Sequence, residues 1–229
     1  MSRPNERLER RAHQRNPRRS RVQKPGFIEL AAQLAEIGKD FYRRGWALGT
    51  SGNFSAVVSW QPLRLAITPT DLDKSTLAPP NFLEIDGAAR VVRGGGKPSS
   101  ECGIHLAIIR MCGVGAVLHT HSVWSTILSE ADAPHGGITI QGYEMLKGLR
   151  GVRTHEHSEW LPILENSQDM LAMAQTVEAT LKQHPAAHGF LLRRHGLYTW
   201  GNDLAEAKRH TEILEFLLEV AARTRSVGS

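Results

Sequence analysis

Between residues 26 and 224, short apolar runs bounded by Gly, Pro and Asp alternate with longer stretches whose apolar residues recur at helical spacing. That alternation is the strongest constraint on the fold. A run of four to eight apolar residues reads as a strand and a stripe with a period of 3.6 as a helix. Strands interleaved with helices bury both kinds of surface only as an α/β layered sheet. Ile28, Leu30, Ala31, Leu34, Ile37 and Tyr42 mark an amphipathic helix over 26–44, closed at Gly45. Strands follow at 56–60 and 63–68, and a hairpin of 82–85 with 89–92 turns at Asp86-Gly87. A helix over 101–111 has Ser99 or Ser100 placed to cap it. Then come a buried strand at 115–119, a helix at 123–129, a strand at 137–140, and a helical or irregular stretch at 143–149. A helix over 167–183, a strand pair within 189–200 turning at His195-Gly196, and a helix over 204–224 complete the chain. There is no internal repeat and no inner linker, so residues 25–229 read as one domain.

Residues 1–24 differ in kind. They carry eight Arg and one Lys against Glu6 and Glu9, a net charge of +7, and almost no apolar side chains. The whole chain carries +5, so the remainder is slightly acidic. The basicity therefore belongs to an Arg-rich tail, expected to be disordered, and the body does not read as a nucleic-acid binder. No window approaches the ~20 apolar residues of a membrane span, and no apolar run follows the basic start as a secretory signal requires. Two cysteines in 229 residues argue against a disulfide scaffold and fit a reducing, cytoplasmic setting. A chain of this length buries roughly 70% of its unfolded surface, enough for a core that needs no metal.

Chemistry concentrates in a few places. His119-Thr-His121 directly follows the apolar run 115–118. In extended chain, residues i and i+2 share a side, so both imidazoles can converge on one ion. Neutral imidazole suits zinc and other borderline divalent ions, and a catalytic zinc commonly has three protein ligands. His195, ending the Phe190-Leu-Leu run before a glycine, is the candidate third ligand. The alternative is a histidine pair hydrogen-bonded at a strand end. A second such pair, His155-Glu-His157, reads as a solvated loop, and His105, His135, His184, His188 and His210 as surface or capping residues. Glu101 sits at a helix start and makes an i, i+4 pair with His105. Glu144 has apolar sequence neighbours that would raise its pKa and suit it to proton transfer. The turns Thr50–Ser55 and Thr68–Asp71 and the Lys97–Ser100 helix entry supply hydroxyls and backbone N–H groups of the kind that hold phosphate.

Taken in order, Ser51-Gly-Asn-Phe-Ser55, Ile67-Thr-Pro-Thr70, Pro98-Ser-Ser-Glu101, His119-Thr-His121 and Arg194-His-Gly196 resemble the class II aldolase/adducin family, over about 27–225. Gln141-Gly-Tyr-Glu-Met-Leu-Lys-Gly148, Glu165-Asn166 and the 192–201 segment resemble its dehydratase branch most. The resemblance implies a three-layer α/β/α fold with a central mixed, largely antiparallel sheet, assembled as a homotetramer with sites near subunit interfaces. It implies one Zn²⁺ per subunit on His119, His121 and His195, and a small phosphosugar substrate contacted by Gly52, Asn53, Thr70, Ser99 and Ser100. Glu144 matches the acid/base glutamate of the dehydratase branch and Cys102 a cysteine beside its substrate. Glu101 matches the aldolases' catalytic glutamate and ranks second as the base. The expected activity is that of a lyase removing water from a 1-phosphoketose. The alternative is an aldolase or epimerase acting on another phosphoketose such as fuculose or rhamnulose 1-phosphate. A non-catalytic, adducin-like binding module is a further reading, in which the metal histidines should be missing.

Overall fold

The computed structural model describes residues 25–227; the expectation of a disordered tail at 1–24 lies outside the described residues. The chain opens with α1 (Phe27–Arg43), which buries Phe27, Leu30, Ala31, Leu34, Ile37 and Phe41 along one face. Strands β1 (Asn53–Trp60), β2 (Leu63–Ile67), β3 (Leu83–Asp86) and β4 (Val91–Arg93) form a meander, followed by α2 (Cys102–Cys112) and β5 (Ala116–Thr120). Next come α3 (Val123–Ala131), β6 (Gly137–Gln141), a 3₁₀ turn at Glu144–Gly148, β7 (Ser158–Leu164) and α4 (Met170–Gln183). Strands β8 (Gly189–Leu192) and β9 (Gly196–Gly201) then lead into α5 (Leu204–Val227).

All nine strands join one sheet in the order β4-β3-β2-β1-β5-β9-β8-β7-β6. Every pairing is antiparallel except β7 with β8, so the sheet is mixed and largely antiparallel, as the resemblance implies. Helices α2 and α4 cover one face over Leu65, Ile67, Val117, Phe190 and Tyr198. The opposite face is covered by α1 over Phe54, Ala56, Ala66 and Leu118, and by α3 and α5 over Ile138, Leu191 and Leu197. The period-2 alternation of strands assigns the faces. Along β5, Ala116 and Leu118 go to the α1 side and Val117 to the α2 side, and His119 follows Val117. Among the described residues, no helix is long and apolar enough to cross a membrane.

Three departures from the sequence reading matter for the site. First, β1 begins at Asn53 rather than Ala56, because Phe54 is buried under α1 and Asn53 pairs with His119 across β5. Second, the sequence pattern does not predict β7. Its Pro162 and Glu159 break an apolar strand pattern, yet the strand sits between β6 and β8 with Glu159 only 1% exposed. The β8–β9 turn falls on Arg193–His195, one residue earlier than expected.

Candidate active site

His119 lies on β5 and His121 just past its end, while Thr120 between them points to the opposite face, where its hydroxyl donates to Glu215 of α5. The i, i+2 geometry therefore holds. His195 is delivered by the tight β8–β9 turn, in which Arg194 takes a left-handed backbone (φ 55°). Helix α3 clamps that turn: Arg194 N donates to Ser129 Oγ at 3.0 Å and Thr126 Oγ1 to the His195 carbonyl at 3.2 Å.

The three imidazoles meet. His121 Nε2 is 2.8 Å and His195 Nε2 3.4 Å from His119 Nε2. The His119 ring is fully buried, stacked on Tyr198 with centroids 3.8 Å apart, and its Nδ1–H donates to the Leu197 carbonyl at 3.0 Å. That bond fixes the tautomer and leaves Nε2 as a lone pair aimed at the other two rings. Burial, reinforced by the neighbouring imidazoles, holds His119 well below its ordinary pKa and His121 at about 3. Three ring nitrogens gathered on one point suit a borderline divalent ion, and without one the 2.8 Å approach of His121 to His119 is that of a hydrogen-bonded pair. Two nitrogens at 2.0–2.1 Å from a tetrahedral ion stand about 3.3 Å apart. The His119–His195 pair has that spacing, and the His119–His121 pair is closer.

Glu101 caps α2 beside this cluster, its Oε2 3.8 Å from His119 Nε2 and its Oε1 3.6 Å from His195 Nε2. A chain of hydrogen bonds behind it had no counterpart in the sequence reading. Asn53 Nδ2 donates to Glu101 Oε2, His105 Nε2 donates to Asn53 Oδ1, and Ser55 Oγ donates to His105 Nδ1 at 2.7 Å. The amide presents its NH₂ to the carboxylate, so its oxygen faces His105, which settles the His105 tautomer. His105 is fully buried, and burial pushes its pKa down to about 3, so it is neutral and a fixed donor. It is thus neither a surface histidine nor a direct partner of Glu101; Asn53 stands between them. The available signal was the alternation of Asn53 and Ser55, hidden while 50–55 read as a turn.

A polar cleft of about 170 Å³ opens beside Glu101 and His121, walled by residues 50–53, Pro69–Asp71 and Ser99. Gly52, Asn53, Thr70 and Ser99 therefore line one cleft. Ser100 does not line the cleft and is exposed. Cys102 is a correction: it is 3% exposed within the apolar layer under α2, where burial raises its pKa to about 12, and it does not line the cleft. Gly52 has φ +75°, and a Cβ there would stand 2.8 Å from the His119 carbonyl. Gly52→Ala is expected to cost about 1–3 kcal/mol of stability, measured by urea unfolding, and to lower metal occupancy by displacing the end of β5.

Glu144 is the second correction. The 3₁₀ turn sends Leu146 inward and leaves the Glu144 side chain 73% exposed, paired with Lys147 and 3.9 Å from His155. Its pKa is lowered, not raised, chiefly by the Lys147 hydrogen bond. Other histidines also leave the surface. His157 and His188 both bind buried Glu159, at 2.8 and 3.0 Å, and His210 is 2% exposed with its Nδ1 donating to the Trp200 carbonyl. His155 is exposed, as expected of a loop.

Residues 32–222 match the family described as Class II Aldolase and Adducin N-terminal domain. A methylthioribulose-1-phosphate dehydratase of Sorangium cellulosum is 39% identical over 197 residues, covering 85% of this chain and 92% of the relative. One from Yersinia enterocolitica is 41% identical over 202 residues, covering 86% and 93%. The crystal structure of an L-fuculose-1-phosphate aldolase from Thermus thermophilus superposes with a TM-score of 0.71 at 22% identity, covering 88% of this chain and 98% of that one, and so shares the fold. A family match across most of the described residues, together with two relatives aligned over nearly their full lengths, shows that the chain belongs to the class II aldolase and adducin family.

Proposed function

We propose that this chain catalyses the zinc-dependent dehydration of 5-methylthioribulose 1-phosphate to 2,3-diketo-5-methylthiopentyl 1-phosphate, a step of methionine salvage. The carrying observation is the convergence of His119, His121 and His195 with Glu101 at the mouth of a polar cleft, in a chain similar to methylthioribulose-1-phosphate dehydratases over most of its length.

His119, His121 and His195 would hold the zinc, which would supply a Lewis acid for negative charge at the substrate's C2 oxygen. The chain's own residues do the rest. Ser51, Thr70 and Ser99 with the Gly52 turn hold the phosphate end and so fix where C3 and C4 lie. Glu101, oriented by Asn53 and His105, takes the C3 proton. Glu101 passes that proton to the C4 hydroxyl, which departs as water and leaves a 2-keto-3-enol, and transfer of the proton on the enol oxygen to C4 gives the 2,3-diketone. Glu101 is close enough to the histidines for this work, and it becomes the first candidate base. We further propose that Glu144 serves a neighbour: in a homotetramer with sites at subunit boundaries, its exposed turn would bring an acid to the next subunit's cleft. The reading places the enzyme in the cytoplasm, where its two free cysteines stay reduced, and gives nucleic acid no part in its work.

The test is direct. Purified protein supplied with zinc and 5-methylthioribulose 1-phosphate is expected to yield a product lighter by one water, detected by mass spectrometry together with diketone absorbance. Aldehyde release from fuculose or rhamnulose 1-phosphate without any diketone would overturn the dehydratase reading in favour of an aldolase.

A further inference from the structure

The cleft poses an electrostatic problem. Its walls contain two carboxylates, Asp71 and Glu101, and no lysine or arginine, yet the proposed substrate ends in a phosphate dianion. The nearest answer lies behind the wall. Lys74 is the one lysine or arginine among the described residues whose side chain is buried, at 1% exposure. Its Nζ donates to the Thr50 carbonyl at 2.9 Å and the Leu72 carbonyl at 2.7 Å. Thr50 belongs to one wall of the cleft, 50–53, and Leu72 directly follows the other, Pro69–Asp71. A single ammonium therefore ties both walls together.

We infer that Lys74 is a specificity-determining residue that positions the two walls and supplies the cleft with the positive charge that a dianionic phosphoester requires. This rests on the proposed reading of the cleft as a phosphosugar site.

Three observations support it. Burying an ammonium with no ion-pair partner is costly. Asp71 and Asp73 act on Lys74 only at a distance, and the Asp73 carboxylate is committed to the Ser75 N–H at 2.8 Å. The ammonium thus has two carboxylates favouring its charge from a distance and no contact ion pair. Its ammonium stands at the cleft's edge, since the Thr50 carbonyl that it reaches at 2.9 Å belongs to a residue lining the cleft. Burial brings the Lys74 pKa to about 8, so the group still carries its proton at neutral pH. An ammonium donating to both wall carbonyls would also hold the turns at the spacing of a bound phosphate, which backbone N–H groups alone would leave to loop motion.

The experiment titrates inorganic phosphate into the zinc-loaded full-length chain by calorimetry. Lys74→Gln keeps a donor for one carbonyl and removes the charge; Lys74→Met removes both. Each is expected to weaken phosphate binding by about tenfold or more, the scale of a lost charge-assisted contact, with zinc content unchanged. Asp71→Asn, which removes a repelling carboxylate from the wall, is expected to tighten phosphate binding severalfold, and this arm stands even if Lys74→Met fails to fold. In steady-state assays with the phosphorylated sugar, Lys74→Gln should raise KM more than it lowers kcat, a split that general loosening of the fold would not produce. Phosphate affinities within twofold of wild type in the Lys74 variants would overturn the assignment and leave the cleft reading in place. Absence of phosphate binding by wild type itself would overturn both.

Discussion

Replacing His119 with alanine is expected to remove the bound metal and nearly all turnover while the protein stays folded. His119 is the central member of the cluster: both other Nε2 atoms approach it, and it alone is held from two sides, by Tyr198 and the Leu197 carbonyl. With it gone, His121 and His195 remain as a two-nitrogen site, short of the three protein ligands of a catalytic zinc. Losing a Lewis acid worth several kcal/mol of transition-state stabilisation lowers kcat by about 10³-fold or more. The fold should survive because the three apolar clusters that join helices to sheet contain none of the three histidines. Elemental analysis, circular dichroism and turnover on the same preparation check this. Full zinc occupancy in the variant would contradict the metal assignment, and a cooperative loss of ellipticity would show that the site carries the fold after all.

The second large effect concerns the base. Glu101→Gln keeps the side chain's size and an oxygen for Asn53 Nδ2 to donate to, but it cannot take a proton. Loss of a positioned general base costs about 10²–10⁴-fold in rate, so kcat is expected to fall within that range while metal content and phosphate affinity hold. Retention of near wild-type turnover would remove Glu101 from the mechanism. Glu144→Gln provides the comparison. If Glu144 completes a neighbour's site, its loss is also severe, and mixing inactive Glu101→Gln chains with inactive Glu144→Gln chains should restore some activity, because hybrid tetramers contain clefts bearing both carboxylates. Two residues of one and the same chain's site would not complement each other in this way.

Much of the scaffold was legible because local patterns are enforced by general physics. The stripe of Leu30, Ala31, Leu34 and Ile37 requires a covered helix, and the apolar run before His119 requires a covered strand. The His119/His121 pair was legible for the same reason, since period 2 holds in any strand. Residues whose role depends on what lies opposite were not legible. Asn53 read as part of a turn, although its strand pairing with His119 aligns it with Glu101 and His105. His105 lies among apolar helix residues that say nothing of the hydroxyl and amide waiting across the layer. Glu144 looked desolvated by its sequence neighbours, but the turn buries Leu146 and turns the carboxylate to solvent beside Lys147. Cys102 follows Glu101 directly, yet one step along a helix rotates a side chain by about 100°, and here that step carries it from the cleft into the core.

By itself, then, the amino-acid sequence determined the layered fold, the family and the three histidines, because periodicity and short motifs survive without knowledge of any neighbour. Only the tertiary structure decided which carboxylate stands by the histidines, what orients it, and which buried ammonium lies behind the cleft. Those are distances between groups 18 to 94 positions apart, as His119 and His195 are from Glu101, and strand register and helix packing set such distances where local sequence does not.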